Sequence, residues 1–229
     1  MLLMRYPGGK GKCFQHLINL MPPHETYIES HLGGGAVLRN KIPARRNIGI
    51  DKDPKLISEW HSRYPGMCEL VHADAVDYLL SHKYDGNELI YADPPYLRST
   101  RRRSRVYTCD YVTSDHEELL VVLQKSPCMV MLSGYDSELY NDTLVGWHKS
   151  TFHAKTHTDV RQECVWLNFS PSRQLHDVSH LGMNFRERQT IRRRQQRLRE
   201  RIQKMNPVER SELIRWLTVK HDSVSMGGI

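Results

Sequence analysis

Four consecutive residues, Asp93-Pro94-Pro95-Tyr96, carry the most specific chemistry in this sequence, and they follow an apolar run, Leu89-Ile90-Tyr91-Ala92. Proline fixes φ and has no amide hydrogen, so the pair makes a stiff turn whose carbonyls point outward. The Asp93 carboxylate and the Pro94 carbonyl can then accept both hydrogens of one amino group, while Tyr96 offers a flat face to a purine. Upstream, Ile28-Glu29 runs through Ser30-His31-Leu32 into the triplet Gly33-Gly34-Gly35. Glycine lacks Cβ and tolerates φ > 0, so such a turn lets backbone approach a nucleotide closely. Asp51 ends the next apolar run, about twenty residues on, where a carboxylate suits hydrogen bonding to ribose hydroxyls. Together these fit an adenosine-containing cofactor and by themselves leave NAD and S-adenosylmethionine (SAM) both open.

These groups need elements to hold them. Strands are predicted at 26–29, 47–51, 70–73, 89–92 and 129–133, with a late antiparallel one at 162–169. Helices are predicted from Ala36, after Pro54, over 76–80 and over 115–124. Such alternation specifies an α/β fold, a mostly parallel sheet covered by helices on both faces. Sheets of this kind bind ligands beyond the carboxyl ends of their strands, which is where the glycine turn, Asp51 and Asp93 all fall. The 229 residues suffice for one such domain and a short appendage. Composition turns loop-like after Pro171-Ser172 and then helical and basic, so a catalytic domain is expected over 1–172 and a helical extension over 183–220.

The chain has 33 Lys and Arg against 26 Asp and Glu, a net charge of +7, and residues 183–229 alone hold twelve against five. The excess lies wholly in the extension, and a charge block of this kind attracts polyanions. Five cysteines without C-x-x-C spacing argue against a disulfide frame or a cysteine zinc site, and thirteen histidines show no metal-binding spacing. No apolar run reaches the length of a membrane span and no leader is legible, so a cytoplasmic protein with neither metal nor membrane is expected.

In order and spacing these groups resemble the Dam-like family of DNA adenine-N6 methyltransferases, over roughly Arg5 to Phe169 and in the manner of a small phage or prophage member. Arg5-Tyr6-Pro7-Gly8-Gly9-Lys10 is similar to the family's amino-terminal motif, which implies Tyr6 and Lys10 in the cofactor pocket. Glu29 with Gly33, Gly34 and Gly35 resembles the glycine motif, and Gly49-Ile50-Asp51 resembles the ribose-binding strand end. Ala73-Asp74-Ala75 stands where the next cofactor motif falls, and Asp93, Pro94, Pro95 and Tyr96 match the catalytic motif, with Asp93 also facing the cofactor. Ser133-Gly134-Tyr135 and the stretch 161–169 resemble the late motifs. Ser30-His31 depart from the family's Pro-aromatic pair, Tyr6 replaces a common tryptophan, and the stretch Lys55 to Ala92 leaves no room for an inserted target-recognition region.

The resemblance implies a Rossmann-like SAM-dependent methyltransferase fold that converts SAM to S-adenosylhomocysteine without a metal. Its substrate would be an adenine flipped out of double-stranded DNA, with Tyr107 and Tyr111 candidates to close over the base. Arg98, Arg101, Arg102, Arg103 and Arg105 crowd the loop after the catalytic turn, where phosphate contact is expected. Arg192, Arg193, Arg194 and Arg197 are expected on the same backbone, from a helix over 187–205 whose other side carries Ile191, Leu198, Ile202 and Met205. Asn206-Pro207 reads as a cap and first residue of a further helix through Leu217, completing a helical hairpin. Self-association of these helices into a homodimer is the rival to DNA binding. The rival activities are methylation of RNA adenine or of a protein amide, and, in a different class, DNA binding by a vestigial, non-catalytic core.

Overall fold

The computed structural model describes residues 9–11, 13–101, 108–155 and 160–225, and the side chains of all of these except 154–155, 160–161 and 220–225. Arg5, Tyr6, Pro7, Gly8, Arg102, Arg103, Arg105 and Tyr107 therefore lie outside the described residues. The chain forms two compact units, one running to His180 and one from Leu181.

The first unit contains α1 (Phe14–Ile18), β1 (Thr26–Glu29), β2 (Arg46–Asp51), α2 (Pro54–Arg63), β3 (Glu69–His72), α3 (Ala75–Ser81) and β4 (Glu88–Ala92). It continues with α4 (Thr113–Lys125), β5 (Met129–Gly134), α5 (Glu138–Thr143), β6 (His148–Lys155) and β7 (Val160–Leu167). The strands make one seven-stranded sheet in the order β3-β2-β1-β4-β5-β7-β6. The pairs from β3 through β5 are parallel, and β7 runs antiparallel to both β5 and β6. This is a Rossmann-like α/β sheet of the predicted class, including the late antiparallel strand.

Alternate residues of the central strands feed two cores. Tyr27, Leu89, Tyr91, Met131 and Leu167 pack on one face with α1 and α2, around Leu17, Leu56 and Trp60. Ile28, Ile48, Ile50, Ile90 and Leu132 pack on the other with α3 and α4, around Leu79, Leu119 and Leu123. A sheet covered on both faces leaves its strands no polar side, which is why these read as continuous apolar runs. Helix starts follow the carboxyl ends of β2 and β3 directly: Asp53 accepts a hydrogen bond from the Lys55 amide ahead of Pro54, and Asp74 accepts one from the Val76 amide, each at 2.9 Å. An acceptor at this position satisfies an amide that a helix leaves without a partner.

Two expectations change. The segment from Ala36 makes bonded turns, with Arg39 N donating to Gly35 O and Lys41 N to Val37 O, and no regular helix. The Leu38 amide instead donates to the Glu29 side chain at 3.0 Å, which removes it from a helical ladder. The first unit also extends past the composition change at Pro171. Asp177, almost wholly buried, accepts from the Ile42 amide at 3.0 Å, and the His176 amide donates to the Met21 carbonyl.

The second unit contains α6 (Phe185–Lys204) and α7 (Pro207–Ser225). Asn184 caps α6 by accepting from the Glu187 amide at 3.0 Å, and Asn206 caps α7 by accepting from the Val208 amide at 2.9 Å, with Pro207 first in the helix as its sequence predicts. None of the residues of α6 is buried, and Leu198, Ile214 and Trp216 are exposed. Among the described residues this unit thus lacks the apolar core that a packed hairpin would form.

Candidate functional site

Parallel strand order reverses between β1 and β4, and connections leaving that point in opposite directions open a crevice at the strands' carboxyl ends. A cleft lies there, lined among others by Ser30, His31, Gly33, Asp51, Asp74 and Pro95. Its floor is the glycine turn, in which Gly33 has φ 45° and Gly35 φ 54°. A Cβ on Gly35 would collide with the Trp60 ring, whose indole N–H donates to the Gly33 carbonyl at 2.9 Å. The turn is thereby clamped against α2, and only glycine fits it.

Asp51 faces this turn. One carboxylate oxygen accepts from the Gly33 amide at 2.9 Å and the other from the Asp53 amide at 3.0 Å, while burial raises its carboxyl above the usual range. The Lys52 amide also stabilises it, and since a carboxylate offers about four acceptor sites, capacity remains for a ligand hydroxyl. Asp74 also lines the cleft; against the pull of burial, the Lys52 ammonium at 3.0 Å and the first amides of α3 hold its carboxyl below the ordinary value.

Glu29, expected beside the cofactor, turns into the sheet instead. Its Oε2 accepts from the Tyr27 hydroxyl at 2.9 Å and the Leu38 amide at 3.0 Å, and burial pushes its carboxyl up to about 8. Through Leu38 it ties the segment after the glycine turn to β1.

At the end of β4 the catalytic turn meets a side chain from far upstream. The Lys10 ammonium, buried, lies 2.7 Å from Asp93 Oδ1 and 3.7 Å from Glu163 Oε2, and donates to the Tyr96 hydroxyl oxygen at 2.5 Å. The Tyr96 hydroxyl donates in turn to Glu163 Oε2 at 2.5 Å. Burial works against a charge on Lys10, yet the two carboxylates hold it firmly protonated; burial raises Asp93 and keeps Tyr96 a neutral phenol. Lys10 thus joins Asp93, Tyr96 and Glu163 in one buried cluster. Tyr96 is only 5% exposed, with the Lys10 ammonium 4.7 Å over its ring and the Tyr135 ring packed edge-on at 4.5 Å. Tyr96 is thus a buried ring, held at its hydroxyl by Lys10 and packed against Tyr135.

The arginine loop divides. Arg101 is turned inward, with its guanidinium 2.6 Å from the Asp110 carboxylate and bonded to the Tyr96 carbonyl, so it braces the loop where phosphate contact was expected. Arg98 shares Asp110 at 3.2 Å but is more than half exposed. Arg192, Arg193, Arg194 and Arg197 are exposed on α6. Tyr111 lines the cofactor cleft, where its hydroxyl hydrogen-bonds His31 Nε2 at 2.9 Å.

Sequence reading missed Glu163, Asp110 and the partnership of His31 with Tyr111. Glu163 reaches the site because β7 pairs with β5 in a register that sets Cys164 opposite Gly134, and no residue pattern encodes that register.

No family model matches the chain, and no curated protein matches it. Solved structures resemble it loosely. A 23S rRNA methyltransferase is 10% identical, over 71% of this chain and 67% of the other, with a TM-score of 0.46. An rRNA methylase from Streptococcus thermophilus is 10% identical, over 73% and 97%, with a TM-score of 0.44. The SAM-bound magnesium protoporphyrin IX methyltransferase from Synechocystis is 13% identical, over 68% and 74%, with a TM-score of 0.43. Superpositions this loose decide neither family nor substrate.

Proposed function

We propose that this protein transfers a methyl group from SAM to the N6 amino group of adenine in DNA. The observation that carries the reading is the Asp93-Pro94-Pro95-Tyr96 turn at the end of β4, with Pro95 on the wall of the same cleft as Asp51 and Asp74. The cleft's residues fit the cofactor: Asp51 keeps acceptor capacity for a ribose hydroxyl, and the glycine turn presents bare backbone. When bound, SAM supplies an electrophilic methyl group on a sulfonium.

What this chain adds is acceptors. Adenine N6 is a poor nucleophile because its lone pair is delocalised into the ring. Asp93 Oδ2 and the Pro94 carbonyl would hold the two amine hydrogens and draw the nitrogen towards tetrahedral geometry, which localises that pair. Lys10, bound to Oδ1, fixes the plane of the carboxylate, so little reorganisation remains for the reaction itself. Extruding the base from a duplex costs a few kcal/mol, and the resemblance to Dam-like enzymes together with exposed Arg98 and the α6 arginines supports a DNA partner for that step.

Tritiated SAM incubated with duplex DNA, single-stranded RNA and protein tests the reading. The expected product is N6-methyladenine in DNA, and Asp93→Ala is expected to lower turnover by roughly 10²- to 10³-fold with SAM affinity within about tenfold. Transfer confined to RNA or protein, or near-normal transfer by Asp93→Ala, would sink it.

A further inference from the structure

Whatever the enzyme methylates, we infer that α6 docks an acidic amphipathic helix of another protein along a narrow apolar seam. Ile191, Gln195, Leu198, Ile202 and the capping Met205 follow one another at alternating steps of four and three residues. That spacing sets all five on one side of the helix, as in the seam along which two helices pack knobs into holes. The seam is open to solvent: none of the residues of α6 is buried, and Leu198 is 55% exposed. Gln195, polar at the middle of the seam, is the kind of residue that fixes the register of a facing helix.

The residues beside the seam select its occupant by charge. Arg192 and Arg199 border it on one side, Arg194 and Arg201 on the other. In paired helices these bordering positions face the partner's own and decide which partner is accepted. Parallel helices set one border against the opposite one, and antiparallel helices set like borders together. A second copy of α6 would therefore oppose arginine to arginine in either direction, which is costly. A helix with Asp or Glu at its borders meets all four arginines with opposite charge while its apolar residues cover Ile191, Leu198, Ile202 and Met205.

Other occupants answer only half of this surface. A helix lying in a lipid surface needs a broad apolar face, whereas this stripe is narrow and α6 carries nine Lys and Arg against two Glu in its twenty residues. Duplex DNA would satisfy the arginines and leave the apolar seam in water. Arg193 and Arg197 turn away from the seam, but Arg192 and Arg194 border it. An acidic helix and DNA would therefore compete for the latter pair.

The probe is a labelled synthetic peptide of about three heptads, with Leu along its seam, one Gln to face Gln195, and Glu on both borders. Fluorescence anisotropy with the full-length protein is expected to show binding, and Leu198→Ser with Ile202→Ser to weaken it roughly tenfold or more, since two aliphatic side chains lose their cover. Neither residue is buried, so the variant is expected to keep its helices, which circular dichroism checks. Arg194→Glu with Arg199→Glu is expected to lose this peptide and to gain one carrying Lys on its borders. A peptide with the same Glu residues but Ser along its seam separates helix docking from attraction to any polyanion, and is expected to bind about tenfold more weakly or worse. Equal binding of the two peptides would overturn the inference and leave the arginines to DNA. A dimer of the intact chain in sedimentation, lost with Leu198→Ser and Ile202→Ser, would overturn it in favour of a second copy. Anionic phospholipid vesicles bound through the same two residues would overturn it in favour of a membrane. None of these readouts depends on methyl transfer, so a failed search for N6-methyladenine in DNA leaves the docking seam standing.

Discussion

Glu29 makes a testable statement about pH at the scale of one residue. Its carboxyl titrates near 8 in the folded chain, against 4.5 in an unburied one, because burial disfavours the charge. Between those values the unfolded chain releases a proton that the folded chain keeps, so stability falls as pH rises through the window. Glutamine can accept from Tyr27 and Leu38 but cannot ionise. Glu29→Gln is therefore expected to melt within a degree or so of wild type near pH 5 and several degrees above it near pH 8, on the order of a few kcal/mol. A melting difference that ignores pH would remove Glu29 as the source. Asp51 carries a second expectation: Asp51→Ala should weaken SAM binding by ~1–3 kcal/mol, since it deletes a charged hydrogen-bond acceptor, and calorimetry reads this directly. Asp51 and Asp93 were legible in the sequence because residue type and position after an apolar run identify them. Glu163 and His31 were not, because their roles come from strand register and from a tyrosine eighty residues away.

The element scale turns on how the loop after the catalytic turn is tied down. A single 3₁₀ turn, Arg98–Thr100, leads from Leu97 to Arg101, whose side chain is 5% exposed and bridges the Tyr96 carbonyl and Asp110. A buried charge left without its partner is expensive. Asp110→Ala is thus expected to destabilise the first unit by ~2–4 kcal/mol and to hasten proteolysis between Leu97 and Tyr111, whereas Arg98→Ala should leave melting and cleavage unchanged and lower only DNA affinity. Equal effects of the two substitutions on stability would contradict the division of labour. The same contrast explains what composition could not reveal: five arginines in eight positions look alike until one of them is seen to be buried. Strands β1, β2, β4 and β5 were readable as apolar runs. Helices α1 and α5 are too short for helical periodicity to register, and β6, whose described side chains include one large apolar residue, Phe152, is an edge strand held by its pairing to β7.

At the scale of the whole molecule, charge and chemistry occupy different units. The first unit holds the cleft and the catalytic turn, and the excess of seven positive charges belongs to residues 183–229. The twenty residues of α6 span about 30 Å, comparable to roughly nine base-pair steps of backbone. Arg192, Arg193, Arg194 and Arg197 are exposed on it. Under the proposed function, phosphate contacts from these arginines would hold a duplex without reading its sequence. The segment between Asp51 and Asp93 holds only α2, β3, α3 and β4, so it offers no separate base-reading element. Methylation is therefore expected in many adenine contexts, and sequencing that maps N6-methyladenine in DNA from expressing cells would contradict this by returning one strict motif of four or more bases. Deleting 183–229 is expected to weaken DNA binding across all sequences and to flatten its dependence on salt by ~0.9 in log–log slope for each phosphate that the extension neutralises. Circular dichroism and SAM binding of the truncated chain establish that the first unit still folds. A truncation that keeps full affinity and full salt slope would assign the extension to self-association instead, and sedimentation of the intact chain would then show a dimer that the truncated one fails to form.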